Sequence, residues 1–262
     1  MRAVAFATYK EWAAYRSHAA VSILLGPANL LVQVLIWRAV FAGRHELGGL
    51  TLAQMIGYYG AATLLHFLTM DFADWNLQML IHTGRFLGFM LRPVSHVYFA
   101  FAQKVGHRAL GLLIEFIPAY LLIRLALGVR LVPAHYGWTA CSVMLAFAMV
   151  FLIDYCIGLT GFWLIRTDGV RRVCRILMGF CSGTFLPLAL LPRGLQAVLF
   201  FLPFQFAAYV PIRVFLGSYE LAGIHLSLPR VVGLQALAVG IMLLLTLGLT
   251  RLGLRCFTGV GA

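Results

Sequence analysis

Residues 138–164 of the chain read WTACSVMLAFAMVFLIDYCIGLTGFWL, and Asp154 is the one charged side chain among them. About 20 helical residues are enough to cross the hydrocarbon core of a bilayer, which is about 30 Å thick. Charged residues are rare in such segments because hydrocarbon offers them no water. The stretch therefore predicts a transmembrane helix, and it sets the class of the fold.

The composition of the whole chain also agrees with a membrane-embedded protein. Its 262 residues are 62% hydrophobic and 11% charged, whereas a soluble domain carries about 25% charged residues. The sequence predicts an all-α, polytopic membrane protein in which residues 1–262 form a single transmembrane domain with six transmembrane helices. The predicted spans are about Ala19–Phe41, Leu52–Met70, Ala109–Leu127, Trp138–Leu164, a fifth run from Ile176, and Val231–Thr250.

Three segments outside these spans have their own predicted forms. Residues 1–18 have an aromatic side and predict an interfacial helix lying in the headgroup plane. Residues 71–108 form a long connection of mixed polarity. Pro187 and Pro192 interrupt the fifth run, and Pro203 breaks the next apolar piece. Broken backbone at membrane depth must be buried or line a cavity, so residues 192–230 predict an extracellular re-entrant helical hairpin and loop before the last span.

The positions of the basic residues predict the orientation. If the spans alternate, one side receives only seven of the 20 Lys and Arg residues, namely Arg38, Arg44, Arg124, Arg130, Arg193, Arg213 and Arg230. The side with the larger share is cytoplasmic in membrane proteins. We therefore expect both termini and the 71–108 connection to be cytoplasmic.

Several kinds of chemistry lack their sequence patterns. Neither Lys10 nor Lys104 belongs to a GxxxxGK[ST] phosphate loop, and the chain has no HExxH or GxSxG motif. Its five cysteines show no CxxC spacing. The sequence thus predicts no metal site, no catalytic residue and no ATPase activity. The net charge of +12 lies mainly in the connections, so we expect no nucleic-acid partner.

Three ionisable residues fall inside predicted spans: Glu115, Arg124 and Asp154. Such residues mark functional sites by default, for example a proton relay or a substrate cation site. A plainer interpretation also stands for two of them. Glu115 lies two helical turns from Arg108 and can simply pair with it, while Asp154 is deeper and needs a polar partner on another helix.

Small residues in the fifth run suggest close helix packing. Gly179 and Gly183 have small-xxx-small spacing, with Ser182 beside them, and this pattern lets another helix approach closely. The contact is either between subunits or within the chain, and the sequence leaves both open.

The order of elements, together with two stretches of sequence, resembles a known family. The first stretch, residues 76–93, reads NLQMLIHTGRFLGFMLRP; the second contains FLPL at 185–188, LPF at 202–204 and PIRVFLG at 211–217. With an interfacial first helix and six spans, this arrangement resembles the membrane subunits of ABC-2 type transporters, in particular short permeases made only of a transmembrane domain.

The resemblance implies that energy is supplied by other subunits. Two permeases would enclose a pathway, and separate ABC ATPase subunits carrying ATP and Mg would dock on cytoplasmic coupling helices; this chain would need no cofactor. The matching segment here runs from about Trp75 to Pro93, and the candidate coupling residues are Leu77, Leu80, Ile81, Gly84, Arg85, Arg92 and Pro93. An amphipathic loop anchored at the lipid headgroups is the alternative interpretation.

The resemblance also suggests a pathway, partners and a location. Phe200, Phe201, Pro203, Phe204 and Phe206 would line or gate the extracellular exit and suit an amphiphilic, lipid-like or drug-like cargo. The second permease would be the same chain or a homologue, in contact with membrane lipid in a bacterial plasma membrane. Two other functions remain open: a non-transporting membrane scaffold, and a proton-coupled carrier that uses Glu115 and Asp154.

Overall fold

The computed structural model describes residues 16–91, 93–164 and 166–256 of the chain. Of the predicted interfacial helix, residues 1–18, all but the last three positions lie outside the described residues. The α-helices are α1 (Arg16–Val40), α2 (Leu52–Thr69), α3 (Ala73–His82), α4 (Leu87–Met90), α5 (His96–Gly111), α6 (Ile117–Ala126), α7 (Tyr136–Leu159), α8 (Asp168–Cys181), α9 (Arg193–Phe201), α10 (Tyr209–Leu216) and α11 (Leu228–Cys256).

Short elements complete the described part of the chain. Single 3-10 turns occupy Thr160–Phe162, Leu188–Leu190 and Pro203–Ala207, and a π-helical turn, Leu112–Phe116, joins α5 to α6. The strands β1 (Tyr219–Leu221) and β2 (Ile224–Leu226) form an antiparallel hairpin in which Tyr219 pairs with Leu226. The predicted all-α class therefore holds, apart from this small hairpin.

Four of the described helices are long and apolar enough to cross a bilayer. They are Ile23–Val40 within α1, His96–Ala126, Tyr136–Phe162 and α11. The second predicted span is the 18-residue helix α2. The fifth is α8, which has 14 residues and measures about 21 Å at 1.5 Å per residue, so it cannot cross the hydrocarbon core as one helix. The count of six spans stays a prediction.

The helix of the third predicted span begins earlier than the sequence predicted. It starts at His96 rather than Ala109 and runs through the π-helical turn to Ala126. Lys104 and Arg108 lie on it and are buried, so the connection between α2 and this helix ends near residue 95 and not at residue 108. Hydropathy missed the start because each cation is paired with an acid, Lys104 with Asp71 before the helix and Arg108 with Glu115 seven residues further along it.

The helices give the described chain two distinct ends. The α3 end consists of residues 70–91, 93–95, 160–164 and 166–168, which include α3 and α4. The hairpin end consists of residues 41–51, 127–135 and 182–227, which include α9, α10 and the strands. Contacts fix these loops together: the amide of Ala134 donates to the carbonyl of Phe215 at 2.9 Å, and Gly48 lies against Leu190.

The centre of the fold is α7, the helix of the opening sequence stretch. Over half of its most apolar window (56%) is buried, compared with 17–28% for the other three long helices. Gln235 of α11 is fully buried and donates to the carbonyls of Ser142, at 3.0 Å, and Phe206, at 2.9 Å. The Ser142 hydroxyl donates back to Gln235 at 2.7 Å. These hydrogen bonds tie α7 to α11 and to the hairpin end.

The fifth passage across the fold is part helix and part irregular chain. Arg175 contacts Asp74 at the α3 end, whereas Leu190 contacts Gly48 at the hairpin end. Between them α8 stops at Cys181, because Gly183 has the left-handed φ of +82°. The hydroxyl of Tyr58 donates to the carbonyl of Gly183 at 2.7 Å, which satisfies one of the groups freed where the helix ends.

The small residues of this passage pack within their own chain. A Cβ at Gly183 would lie 2.9 Å from the Tyr58 oxygen, and one at Gly179 would enter the Phe185 ring. Ser182 is 2% exposed, and its hydroxyl contacts that of Thr184 at 2.8 Å. Gly179, Ser182 and Gly183 therefore pack against residues of their own chain, and a contact of this passage with a second subunit stays a prediction.

The hairpin end is held by buried polar contacts. The hydroxyl of Tyr219 donates to the side-chain oxygen of Gln205 at 2.6 Å, and that of Tyr209 donates to the carbonyl of Glu220 at 2.6 Å. Burial raises the pKa of Tyr219 above its ordinary value, so the hydroxyl stays protonated and keeps donating. α9 and α10 are the two helices of the predicted hairpin, and its re-entrant character stays a prediction.

Replacing Gly183 with Ala should destabilise the fold. A residue with a Cβ pays about 1–3 kcal/mol to hold a left-handed backbone, and here the methyl group would also press on Tyr58. We expect a lower midpoint of thermal unfolding in detergent micelles. Gly194→Ala is the matched control, because nothing lies within 4 Å of its added Cβ; it should leave the midpoint unchanged or raise it. Equal midpoints for both variants would contradict this account.

Candidate functional site

The candidate site is α3 with the turn and short helix that follow it. α3 begins three residues after α2 and ends at His82, with Thr83 as its C-cap. Gly84 then takes a left-handed φ of +70° in the turn that leads to α4. Pro93 is exposed and precedes the long helix His96–Ala126. This is the segment for which the sequence predicted a coupling role.

The inner side of α3 packs tightly on α7. Leu77 is fully buried and Ile81 is 6% exposed. A Cβ at Gly158 of α7 would lie 3.0 Å from Leu77 and 3.1 Å from the backbone of Asp74, so the absence of a side chain at Gly158 allows the two helices to approach. The amide of Gln78 donates to the carbonyl of Ile157 at 3.2 Å. α3 is therefore fixed to the central helix.

Asp74 is the buried charge of α3. It is fully buried and accepts two hydrogen bonds from the guanidinium of Arg175, at 3.0 and 2.9 Å. Arg171, one turn earlier on α8, lies 3.9 Å away. The pair of arginines holds the start of α8 against α3.

A second ion pair lies close to the first. The ammonium of Lys104 is 3.3 Å from Asp71, and both side chains are buried. Lys104 also donates to the carbonyl of Phe147 at 3.2 Å and lies over that residue's ring. Asp154 is buried and interacts electrostatically with Lys104 and Arg175. The charge cluster thus contains three acids and three cations: Asp71, Asp74, Asp154, Lys104, Arg171 and Arg175.

A third ion pair involves the π-helical turn. Arg108 lies 3.2 Å from Glu115 and donates to the carbonyl of Phe67 at 3.0 Å. Glu115 therefore pairs with Arg108, as the plainer interpretation of the sequence expected. Lys104 and Arg175, on other helices, act electrostatically on Asp154, but neither forms a hydrogen bond or an ion pair with it in the described part of the chain, so its polar partner stays a prediction. Arg124 is exposed and lies at the other end of the same long helix, so the structure does not bring the three ionisable residues together.

Two of the ion pairs line a cavity between α3 and α5. Its volume is about 830 Å³, and its wall includes Asp71, Lys104, Arg108 and Glu115 together with the apolar side chain of Trp75. Volumes of this size are typical of small-molecule sites. Because the cavity separates the two helices, the outer face of α3 does not pack against α5.

The outer side of the candidate site is apolar and exposed. Leu91 is 89% exposed, and Arg85 and Pro93 are exposed beside it. Leu80 and Gly84 are half-buried, and Arg92 lies outside the described residues. Leu77 and Ile81 face α7, so they have no free surface for a partner. The exposed apolar side chains of this face are Trp75, Met79, Leu87, Met90 and Leu91.

The aromatic residues predicted to form a gate are divided between surface and core. Phe201 is 85% exposed, whereas Phe206 is buried. Phe200, Pro203 and Phe204 are half-buried. They lie at the hairpin end, far from the charge cluster.

The charge cluster itself was missed from the sequence. Asp71 and Asp74 were placed in a mixed connection, and Arg171 and Arg175 were counted only as positive charges. The sequence contains one signal for the cluster, which is that acidic residues are scarce. The chain has only eight of them, and Asp71 and Asp74 follow closely after the second predicted span.

Asp74→Asn should lower stability, because it removes the carboxylate from two charge-assisted hydrogen bonds. Hydrogen bonds to charged groups contribute about 1.5–3 kcal/mol each, and Arg175 is half-exposed, so we expect a loss near the lower limit. Asp168→Asn is the matched control: its carboxylate also pairs with Arg171, at 3.3 Å, but is 83% exposed, and such pairs contribute about 0–1 kcal/mol. Thermal unfolding in micelles measures both, and a larger loss for Asp168→Asn would refute the assignment.

Comparison with known proteins identifies the family. A family model described as "ABC-2 family transporter protein" matches residues 28–261. No curated protein and no solved structure matches the chain. The match covers every described helix except the first part of α1, and it includes the candidate site and the hairpin end. The chain therefore belongs to the ABC-2 family of transporters, as a multi-pass membrane component.

Proposed function

We propose that the chain is the permease subunit of an ATP-driven exporter and that α3 and α4 form its contact with the ATPase. Members of its family are transport components that lack their own ATPase and work with ABC ATPase subunits. The observation that supports the assignment is the two-sided character of α3. Leu77 and Asp74 bind it to the spans, while Trp75 and Met79 are exposed, as is Arg85 in the turn that follows.

The inner contacts of α3 suit it to transmit movement. An ATPase that closes on ATP pushes on the segment, and a rigidly anchored helix passes the displacement on rather than absorbing it. Asp74 would carry the displacement to α8 through Arg175, and Gln78 would carry it to α7. The spans then shift between two packed arrangements, which is how a ligand bound elsewhere drives a transporter.

The orientation follows from the distribution of basic residues. The ATPase is a soluble partner, so the α3 end faces the cytoplasm, and both termini lie on that side of a bacterial plasma membrane. ATP and Mg²⁺ bind to the ATPase, and the permease needs no cofactor.

The hairpin end then faces outward and would gate the exit. Phe201 and its half-buried neighbours Phe200 and Phe204 favour an amphiphilic, lipid-like or drug-like cargo. The hairpin built by α9 and α10 would be re-entrant, lining the pathway from outside. Because one such chain is half of a pathway, a second permease, either the same chain or a homologue, completes it.

Arg85→Glu should weaken recruitment of the ATPase to the membrane. The charge reversal places an acid on the proposed docking face, at an exposed position outside the buried contacts of α3. We expect severalfold less of the copurifying ATPase on membranes containing the variant, measured by quantitative blotting at equal permease levels.

Arg193→Glu provides the matched control for this experiment. Arg193 is also an exposed arginine, but it lies at the hairpin end, so its reversal should leave recruitment unchanged. If Arg85→Glu retains full recruitment, the docking face is assigned to the wrong surface.

The energy source separates the proposal from its alternatives. In inverted vesicles that contain the permease and its ATPase, a fluorescent amphiphilic dye should accumulate when ATP is added. Its accumulation should stop when ATP is depleted, even if the proton gradient stays intact. Accumulation that persists on the gradient and is lost in Glu115→Gln or Asp154→Asn would favour a proton-coupled carrier. Recruitment of the ATPase without dye movement under either condition would favour a scaffold.

A further inference from the structure

A second cavity begins at the hairpin end, where residues 131–133 line it, and extends along α2 as far as Leu68. Its volume is about 430 Å³, and it is enclosed by α2, α6, α7, α10 and the loop before α7. Its wall is mostly apolar and includes Leu64, Phe116, Val143 and Ile212. The volume is within the range of about 300–1,000 Å³ that small-molecule sites occupy.

The mouth of this cavity contains a cation without a partner in the described chain. Arg124 lies in the last turn of α6 and on the cavity wall. Among residues 16–91, 93–164 and 166–256, no acid forms an ion pair with it and no acceptor takes a hydrogen bond from it. Arg124 is also one of the few basic residues on the sparsely charged side, where the distribution of charge in membrane proteins disfavours a cation.

Two further groups on the wall are polar. Tyr136 begins α7, is exposed and lines the same cavity as Arg124, and tyrosines are enriched at membrane–water boundaries. Thr139, one turn further into α7, is 9% exposed, and its hydroxyl has no hydrogen-bond partner in the described part of the chain. Buried hydroxyls normally have one.

We propose that this cavity binds one anionic phospholipid of the bilayer, with the phosphate at Arg124 and one acyl chain in the apolar interior. Guanidinium groups bind phosphate through two parallel hydrogen bonds, and arginines near helix ends reach the headgroup level. Phe116 lies eight residues before Arg124, which is about 12 Å along the helix axis. The cavity therefore accepts about 12 Å of an acyl chain whose phosphate is bound at Arg124. The helices around it belong to the membrane-embedded fold, so bilayer lipid is the nearest source of such a ligand.

The test uses the full chain purified in detergent and titrated with phosphatidylglycerol or phosphatidylcholine, with bound lipid counted by native mass spectrometry. We expect phosphatidylglycerol to bind more tightly than phosphatidylcholine, and Arg124→Gln to weaken phosphatidylglycerol by about tenfold, the effect of losing one charge-assisted contact. Arg130→Gln is the matched control, because Arg130 is exposed in the neighbouring loop and does not line the cavity.

A second variant tests the position of the acyl chain. Val143→Phe fills the interior without changing any charge and should also weaken phosphatidylglycerol, while thermal unfolding without lipid confirms that the variants are folded. Equal binding of both lipids, or full binding by Arg124→Gln, would overturn the proposal. Weakening by Arg130→Gln equal to that by Arg124→Gln would also overturn it, since it would indicate a general charge effect. None of these measurements requires an ATPase or transport, so their outcome is independent of the proposed function.

Discussion

Asp74 holds a carboxylate in a fully buried position at the boundary of the membrane-embedded helices, and its neighbours must accommodate that charge. A buried charge is tolerated only when it is paired and hydrogen-bonded, so Arg175 and Arg171 must stay beside it. That requirement fixes the position of the start of α8. The helix is too short to span the bilayer, so its length alone would not hold it in place. The close approach at Gly158 then places α3 on α7.

The charge cluster around this pair is balanced, with three carboxylates and three cations. Lys104 and Asp154 belong to the long helices, whereas Asp71 and Asp74 belong to the segment that leads into and forms α3. The ion pairs of Asp71 with Lys104 and of Asp74 with Arg175 therefore hold the α3 segment both to the helix His96–Ala126 and to α8.

The sequence predicted the membrane class, the order of the helices and the segment that became α3 and α4, because these depend on local hydropathy and on turn residues such as Gly84 and Pro93. It placed the start of the third span too late, since the ion pairs of Lys104 and Arg108 neutralise charges that hydropathy counts as exposed. It also could not say whether Gly183 faces a second subunit or Tyr58, because the spacing of small residues is the same in both cases. Long-range partners decide these points, and they become visible only in the fold.

The π-helical turn at Leu112–Phe116 sets how far α6 is rotated about the helix axis relative to α5 in the long helix His96–Ala126. Such a turn holds one residue more than the α-helix it interrupts, and each residue advances an α-helix by about 100°. Glu115, in the turn, contacts Arg108 seven residues before it, and both line the cavity beside α3. Phe116, the last residue of the turn, and Arg124 on α6 line the other cavity. The same helix therefore contributes to the walls of both cavities, and the turn sets how one wall is rotated relative to the other.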